Sequence, residues 1–376
     1  MTKTIFIAGS GGIGEAAALL LREWSEFDLT LILGDISEGN LAKAKESVTS
    51  GSDKTTAVET VLMPRDGESD EMIAAFDRAD VLLDCSPGGQ APRMARYARD
   101  HKIHYANLTE YVAETDEIME LAKDAETGFI LQTGLAPGFI NVQAMALYRE
   151  FVAKYNNEKV ERVAMKVGAL TAHAHEPHFY GFTWSPIGVA TEYVKDSRVI
   201  RDYKIAERPA LTARETIVIG ARTYEADITS GGAADLPEFF EGKARDLEYK
   251  TLRYPGHYDW VQSIIETLPR GDGMPDALQT MMQQAIPSVE DDLVVLHASV
   301  DGFDDKGVRR MLEKAYFVEP LEINGKHLRA IQTTTAAPLC ESAMMLLTGN
   351  YKGVVLQSQI DPDKFIGGTF VSNIYK

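Results

Sequence analysis

The chain has 376 residues, 45% of them hydrophobic and 25% charged, which is the composition of a globular protein of one or two domains. It carries 56 acidic against 38 basic residues, and the formal net charge of −18 argues against nucleic acids and anionic membranes as partners. Two cysteines, Cys85 and Cys340, exclude a disulfide framework and a four-cysteine zinc site and favour a cytoplasmic protein. We expect neither a signal peptide nor a membrane-spanning helix, because glycines and charges interrupt the apolar runs.

Short apolar strands and helix-like segments alternate through the first third of the chain. The apolar runs predict strands at residues 4–8, 29–33, 57–62, 81–84, 103–106 and 129–132. The intervening patterns predict helices at residues 13–24, 41–48, 68–76, 91–99 and 114–125. This regular alternation indicates an α/β domain with a doubly wound parallel sheet and helices on both faces, the Rossmann arrangement.

The pattern changes after residues 134–138, a glycine- and proline-containing segment that we interpret as a hinge. Strand-like alternation covers residues 160–170, 214–220, 247–254, 293–300 and 308–318, and the last two runs form a predicted hairpin. Helices are predicted at residues 257–267, 275–285 and 337–347. The second part of the chain is therefore predicted to be an α+β domain with a mixed, mainly antiparallel sheet.

A glycine loop, GSGGIG, occupies residues 9–14 between the first predicted strand and the first predicted helix. In this context the GxGxxG pattern is typical of a loop that binds the pyrophosphate of a dinucleotide. The first glycine allows the tight turn, the second lets the pyrophosphate approach the backbone, and the third lets helix and strand pack closely. The alternative is a glycine-rich turn without a ligand. The predicted phosphate-binding residues are Gly9, Ser10, Gly11, Gly12, Ile13 and Gly14.

Asp35 follows Gly14 by 21 residues, at the end of the second predicted strand. A carboxylate there accepts hydrogen bonds from a ribose 2′-hydroxyl and repels a 2′-phosphate. Because the nearest downstream cation is Lys43, we expect NAD rather than NADP. The alternative is that Asp35 only caps the next helix.

Four segments beyond the glycine loop resemble the saccharopine dehydrogenase family. They are GLAPGFIN at residues 134–141, FTWSP at 182–186 followed by EY at 192–193, TLRYPGH at 251–257, and GVV at 353–355 with DP at 361–362. They span most of the chain in the order that the family shows.

The resemblance implies a dinucleotide-binding domain of residues 1–135 together with 335–376, and a substrate and dimerisation domain of residues 136–334. It also implies NAD(P)-linked redox chemistry at a carbon–nitrogen bond, either oxidation of an amine to an imine or reductive condensation. The implied substrate is a small amino acid or polyamine-like compound, since members include saccharopine reductases, lysine 6-dehydrogenases and carboxynorspermidine dehydrogenases. A cytoplasmic homodimer is expected.

The loops after the predicted strands supply the other candidate residues, because a nucleotide lies over the carboxyl ends of parallel strands. Glu110 and Tyr111 are the candidates for acid–base catalysis or amine binding, and the alternative for Glu110 is an acid at a helix N-terminus. Further expected cofactor contacts are Ser86, Pro87, Asn107, Ala136 and Pro137.

Arg253 and His257 lie in the family-like RYPGH segment. An arginine can bind a substrate carboxylate through two hydrogen bonds, and a histidine at a helix start can position a group or move a proton. The alternative for both is packing at a domain boundary. Candidates for lining the substrate pocket are Thr183, Trp184 and Ser185. The alternative for each is a place in the protein core.

Two other constellations suggest chemistry that we do not expect. His173, His175 and His178 have no common zinc-site spacing, and hydride transfer needs no metal, so we predict no metal centre. Cys85 ends a predicted strand, and as a nucleophile it would indicate a semialdehyde dehydrogenase; a small buried apolar residue is the interpretation we favour. A non-catalytic NAD-binding regulatory homologue is the remaining alternative function.

Overall fold

A computed structural model describes residues 2–172, 174 and 176–376. The chain divides into two compact units. The first comprises the residues up to Phe139 together with Leu321–Leu328 and Gln332–Tyr375, and the second comprises Ile140–Pro320 with Arg329–Ile331 and Lys376.

The first part of the chain alternates strands and helices in the order β1 (Lys3–Ala8), α1 (Gly12–Trp24), β2 (Leu29–Asp35), α2 (Glu38–Thr49), β3 (Ala57–Leu62), α3 (Asp70–Phe76), β4 (Val81–Asp84), α4 (Ala91–Asp100), β5 (His104–Asn107), α5 (Val112–Ala122) and β6 (Gly128–Ile130). The middle part contains α6 (Phe139–Tyr155), β7 (Val160–Thr171), α7 (Pro186–Val194), β8 (Ser197–Arg201), β9 (Lys204–Arg208), β10 (Glu215–Ile219), β11 (Arg222–Ile228), α8 (Leu236–Phe240), β12 (Ala244–Arg253), α9 (His257–Ile265), α10 (Met274–Ala285), β13 (Asp292–Phe303) and β14 (Arg309–Val318). The chain closes with β15 (Leu321–Ile323), β16 (Lys326–Leu328), α11 (Ala330–Thr348), β17 (Gly353–Val355), α12 (Pro362–Ile366) and α13 (Thr369–Ile374).

The first unit is built on a parallel sheet with the strand order β17-β6-β5-β4-β1-β2-β3. Its central strands are apolar on both faces, and Ile5, Phe6 and Ile7 are fully buried. Strand β1 pairs with β2 on one side and with β4 on the other. The strand order therefore reverses between β1 and β4, which opens a crevice at the carboxyl ends of these two strands.

Helices α3, α4 and α5 cover one face of this sheet through a continuous apolar core. Phe76, Met94 and Ile118 from these helices belong to one cluster with Phe6 and Tyr105 from the strands. Complete burial of a side chain of this size contributes about 2 kcal/mol of hydrophobic free energy. The packing makes the sheet a rigid platform for the loops at its edge.

The second unit contains an eight-stranded mixed sheet. Its main order is β10-β11-β12-β7-β13-β14, with β8 pairing to β12 and β9. Strands β12 and β7 are parallel, and the other neighbours are antiparallel. Helices α7, α9 and α10 contribute a separate aromatic and aliphatic cluster that includes Tyr193, Tyr258 and Leu278. The α/β fold class, with a parallel Rossmann-like sheet followed by a mixed and mainly antiparallel sheet, is confirmed.

The largest differences from the predicted elements are in the helices. We predicted no helix at α6, because its sequence is apolar around most of its circumference and a one-sided 3.6-residue period is weak there. Helix α11 begins at Ala330, seven residues before its predicted start, since three consecutive threonines and Pro338 obscured its first turns. Among the described helices, none has both the length and the apolar composition that crossing a bilayer requires.

Candidate functional site

The glycine loop lies directly beside the loop that follows β4. Gly9 has a φ of +93°, and a Cβ atom there would lie 2.7 Å from the carbonyl oxygen of Cys85. The Cys85 N–H donates a 2.8 Å hydrogen bond to the Ala8 carbonyl. Only glycine fits this turn, which brings both loops to the crevice at the reversal of strand order.

Gly11 faces open space. A Cβ built on Gly11 meets no atom within 4 Å, whereas one on Gly14 would lie 1.9 Å from the Gly9 carbonyl oxygen. Gly11 is the N-cap of α1, and no side chain caps this end of the helix. The free N–H groups of the first turn and the helix dipole make this space suitable for an anion, which is the geometry that a dinucleotide pyrophosphate requires.

Asp35 ends β2 and connects the glycine loop with the start of α2. One carboxylate oxygen accepts a 2.8 Å hydrogen bond from the Ser10 N–H, and the other accepts from the Ser37 N–H at 2.9 Å. Asn40 donates to the second oxygen through its side chain at 3.4 Å. Asp35 thus supports the beginning of α2, while the N-cap itself is Ser37. The carboxylate also keeps acceptor capacity for ribose hydroxyls beside the loop.

The loop after β4 is held by an aspartate that the sequence analysis missed. Asp84 is 2% exposed and accepts hydrogen bonds from the N–H and hydroxyl of Ser86 and from the Tyr105 hydroxyl. Burial raises the pKa of its carboxyl group against the opposing effect of these hydrogen bonds. Ser86 therefore turns its side chain toward Asp84, and Pro87 follows as the residue before a short 3₁₀ turn. The sequence does carry a signal for Asp84, which is an acidic residue at the end of a predicted strand and shortly before a Ser-Pro-Gly-Gly turn.

Asn107 at the end of β5 leaves one buried donor unused. Its side-chain oxygen accepts from the Gln132 N–H at 2.8 Å, and its carbonyl accepts from the Thr133 N–H. The side-chain nitrogen is buried and has no acceptor among the residues that the structure describes. A buried unsatisfied donor at the nucleotide edge of a sheet fits hydrogen bonding to a bound cofactor.

The turn after β6 places two predicted cofactor residues differently. The Gly134 N–H donates to the Pro137 carbonyl at 3.0 Å, so the turn is closed on itself. Pro137 is buried within it, whereas Ala136 is partly exposed.

Gln332, in the first turn of α11, was missed because nothing in its local sequence connects it with residues 9–14. Its side-chain nitrogen donates to the Gly12 carbonyl at 2.9 Å.

Glu110 lies between β5 and α5 and is a carboxyl group of altered acidity. Burial raises the pKa of its carboxyl group to about 7. No hydrogen bond or ion pair to this carboxyl group is found in the described part of the chain. Tyr111, the N-cap of α5, lies against the loop after β4, because a Cβ on Gly88 would meet its ring at 2.9 Å. A carboxyl group with a pKa near neutrality is suited to exchange protons.

Cys85 lacks the properties of a nucleophile. Burial and the neighbouring Asp84 raise the pKa of its thiol well above the ordinary range. A thiol that stays protonated at physiological pH is a poor nucleophile. Cys85 is partly exposed and not fully buried as predicted.

Arg253, at the end of β12 in the second unit, is a buried cation that forms no ion pair with a described residue. Its side chain is 1% exposed. Its Nε donates to the Tyr193 hydroxyl at 2.6 Å and its Nη1 donates to the Leu252 carbonyl at 2.9 Å. No described carboxylate lies within ion-pair distance, and no described acceptor contacts Nη2. Burial lowers the pKa of the guanidinium, but the nearby tyrosines and Glu192 raise it overall, so the group stays charged. A charged guanidinium with Nη2 available fits an anionic ligand.

His257 begins α9 and is fully buried. Its Nδ1 lies 2.8 Å from the His178 carbonyl oxygen, and its Nε2 lies 3.0 Å from the Tyr193 hydroxyl. Burial and the nearby Arg253 lower the pKa of the imidazole to about 3. The ring is therefore neutral at physiological pH.

The segment before α7 carries further buried polar atoms without partners among the described residues: His178 Nδ1, the Tyr180 hydroxyl and Thr183 Oγ1. The Tyr180 ring lies beneath the Arg253 guanidinium, with its centroid 4.6 Å from Cζ. Trp184 packs against Gly188, and Ser185 caps α7 by accepting from the Gly188 N–H, so both have structural contacts. Tyr180 was missed because a single tyrosine carries no motif.

Metal chemistry has no support in the described residues. No group of three or more histidine, cysteine, aspartate or glutamate side chains there is arranged to hold a metal ion. His173 and His175, which the sequence analysis considered together with His178, lie outside the described residues.

Two family models together match nearly the whole chain. Residues 5–131 match the model described as the saccharopine dehydrogenase NADP binding domain. Residues 134–372 match the model described as the saccharopine dehydrogenase C-terminal domain. The boundary between the two matches falls in the turn after β6.

One curated relative is the mitochondrial alpha-aminoadipic semialdehyde synthase of Rattus norvegicus, which is 24% identical over 205 residues. The alignment covers 54% of this chain and 21% of that longer protein, so the chain matches about a fifth of this relative.

Solved structures show the same fold. The apo saccharopine dehydrogenase (L-Glu forming) from Saccharomyces cerevisiae has a TM-score of 0.73 at 14% identity, covering 99% of this chain and 98% of that chain. The homospermidine synthase from Legionella pneumophila in complex with NAD has a TM-score of 0.67 at 11% identity, covering 100% of this chain and 90% of that chain.

Proposed function

Since this chain belongs to the saccharopine dehydrogenase family, we propose that it is an NAD(P)-dependent oxidoreductase that transfers hydride at a carbon–nitrogen bond of an amino acid or amine. The observation that carries the proposal is the crevice between β1 and β4, where the open side of Gly11 meets the uncapped N-terminus of α1. This geometry suits a dinucleotide pyrophosphate without any basic side chain.

The cofactor would be held by residues 9–14, Asp35, the loop at Ser86 and Pro87, Asn107 and the turn at Ala136 and Pro137. When bound, the nicotinamide supplies the hydride acceptor or donor. We propose NAD as the preferred form, because the Asp35 carboxylate lies beside the glycine loop and would repel a 2′-phosphate. The name of the matching family model mentions NADP, so this preference needs a direct test.

Glu110 is proposed as the acid–base group. In amine oxidation the Glu110 carboxylate would accept the proton that the substrate nitrogen loses as the imine forms. In the reverse direction the Glu110 carboxyl group returns that proton. A pKa of about 7 keeps both protonation states populated near neutral pH. Tyr111 beside it would contact the substrate amine.

Arg253 is proposed to bind a substrate carboxylate, because it is a buried guanidinium whose Nη2 has no hydrogen bond and which forms no ion pair with the described residues. His257 would support it as a neutral group. The first unit thus has the proposed role of a dinucleotide-binding domain and the second that of a substrate and dimerisation domain.

We also propose a cytoplasmic homodimer. Phe303, Met311 and Phe317 are 41%, 55% and 41% exposed. The register of β13 and β14 places all three on one face of the hairpin at the end of the sheet. A second copy of the chain would cover this apolar surface. Both cysteines are free thiols, which suits a reducing compartment.

A turnover screen tests the proposed function. The protein is mixed with NAD and with NADP, and absorbance at 340 nm is followed with lysine, with saccharopine-like secondary amines, and with diamine and keto-acid mixtures plus the reduced cofactor. We expect one class to turn over, with Glu110→Gln as the inactive control. NADH binding without turnover across this panel would favour the regulatory alternative.

A further inference from the structure

The rings of two tyrosines pack against Arg253, and the Glu192 carboxylate also acts on it electrostatically. The ring centroids of Tyr180 and Tyr193 lie 4.6 and 5.5 Å from the guanidinium carbon. Cation–π contacts of this kind partly replace a counter-ion in a desolvated site. Among the residues that the structure describes, no acceptor hydrogen-bonds to Nη2 at one edge of the guanidinium.

A chain of hydrogen bonds connects Arg253 through Tyr193 and His257 to the His178 carbonyl. The carbonyl at its end fixes which atom donates in each bond. The His178 carbonyl can only accept, so the Nδ1 of His257 carries the proton. In a neutral ring Nε2 is then an acceptor, and the Tyr193 hydroxyl donates to it across 3.0 Å. The lone pairs of the Tyr193 oxygen therefore face Arg253, whose Nε donates to them at 2.6 Å. The relay runs in one direction from Arg253 to the His178 carbonyl.

This relay fixes the plane of the guanidinium. Nε is held by Tyr193 and Nη1 by the Leu252 carbonyl, so both ends of a rigid planar group are constrained. Nη2 is the nitrogen that remains available. The Tyr180 hydroxyl is also buried, and no described group accepts its proton.

We propose that Tyr193 is a positioning residue that aims Arg253 at a single carboxylate, and that Tyr180 is a further substrate-binding residue that donates to that carboxylate. The ligand class is a monocarboxylate whose remaining chain lies among aromatic side chains. This inference rests on the proposed function, because it names the chemistry of the substrate that the second unit recognises.

Arg253 Nη2 and the Tyr180 hydroxyl are two donors that one carboxylate can use together. A carboxylate accepts a charge-assisted hydrogen bond from Arg253 and a second one from a neutral hydroxyl. An acidic side chain at the same place would occupy Nη2 and exclude the ligand. The neutral relay through His257 orients Arg253 without competing for its charge.

Hexanoate and hexanamide are the matched probes, since they differ only in the carboxylate. Isothermal titration calorimetry is carried out on the wild type and on three variants, with thermal unfolding as a check of folding. Tyr193→Phe removes the acceptor of Arg253, and Tyr180→Phe removes the second donor. The control, Tyr258→Phe, removes a buried hydroxyl of the same cluster that donates to the Thr251 carbonyl.

The wild type is expected to bind hexanoate at least tenfold more tightly than hexanamide. Tyr193→Phe and Tyr180→Phe should each weaken hexanoate binding about tenfold while leaving hexanamide unchanged, and Tyr258→Phe should alter neither more than twofold. A wild type that does not distinguish the probes, or a Tyr193→Phe variant that matches Tyr258→Phe, would overturn the inference.

The ring of His257 gives a second readout that does not depend on turnover. In ¹⁵N-labelled protein, with the His257→Gln variant for assignment, its resonances should show the Nδ1–H tautomer. The Nε2–H tautomer would contradict the relay. A failed turnover screen together with selective hexanoate binding would reject the redox proposal and keep this inference, so the two failures are distinguishable.

Discussion

The two units differ in the groups that would perform the anion binding that we propose for each. The glycine loop of the first unit uses backbone N–H groups and a helix end, and the open side of Gly11 leaves room for phosphate. The second unit uses one buried guanidinium, Arg253, oriented by Tyr193 and His257. Backbone recognition needs glycines at fixed spacing, which a sequence displays, whereas the buried cluster depends on packing between distant segments. The difference also explains how a protein of net charge −18 can bind anions without a basic surface.

The largest effect is expected from Arg253→Met, which removes the cation but keeps much of its volume. We expect kcat/KM for a carboxylate substrate to fall about 1,000-fold, since a charge-assisted pair is lost. The variant should be modestly less stable than the wild type, because the hydrogen bonds to the Tyr193 hydroxyl and the Leu252 carbonyl are lost and nearby groups favour the charge of Arg253. Steady-state kinetics and thermal unfolding check both parts. Strong destabilisation with unchanged kinetics would make Arg253 a structural residue.

Glu110→Gln tests the acid–base group of the first unit. We expect kcat to fall about 100-fold or more, which is the usual contribution of a positioned acid or base. In the wild type, the rate of amine oxidation should rise with pH through about 7, because the carboxylate form accepts the proton. The variant should lose this dependence. A pH profile that keeps its inflection near 7 in Glu110→Gln would assign the proton transfer to another group.

Asp35→Ser should change the nucleotide preference. Removing the carboxylate abolishes its repulsion of a 2′-phosphate and its hydrogen bonds to the ribose. We expect the ratio of NADPH to NADH affinity to rise about 100-fold, as measured by fluorescence titration of each nucleotide. If the wild type already prefers NADPH, the proposed role of Asp35 is wrong.

The acidity of Glu110 also predicts a pH-dependent stability. Its pKa in the folded protein is raised from the ordinary 4.5 to about 7, so the native state binds more protons than the unfolded state between these values. The stability therefore decreases as pH rises from 4.5 to 7, by roughly 3 kcal/mol at most. Glu110→Gln should remove this decrease, making the variant more stable than the wild type at pH 8 but not at pH 4. Urea unfolding at both pH values measures it.

The sequence predicted the parts of the molecule that local patterns determine. Strands β1 to β6 of the first unit, the glycine loop and the α/β class followed from apolar periodicity and glycine spacing, whereas β15, β16 and β17 were not predicted. The neighbours of Arg253 were not predictable, because Tyr180 and Tyr193 are brought to it by a segment and a helix distant along the chain. Gln332 was missed for the same reason, since more than 300 residues separate it from Gly12. The sequence also could not predict which nitrogen of His257 carries the proton, because this depends on the hydrogen-bond partner of each nitrogen.

The most direct test of the central claim is the affinity of NADH for Gly11→Ala compared with Gly273→Ala. Neither alanine Cβ meets an atom within 4 Å, so both variants should fold as the wild type does. A bound pyrophosphate at the glycine loop would collide with the Gly11→Ala methyl group, and we expect NADH binding to weaken at least tenfold in this variant alone. Equal NADH affinity in the wild type and both variants would contradict a nucleotide site at the crevice between β1 and β4.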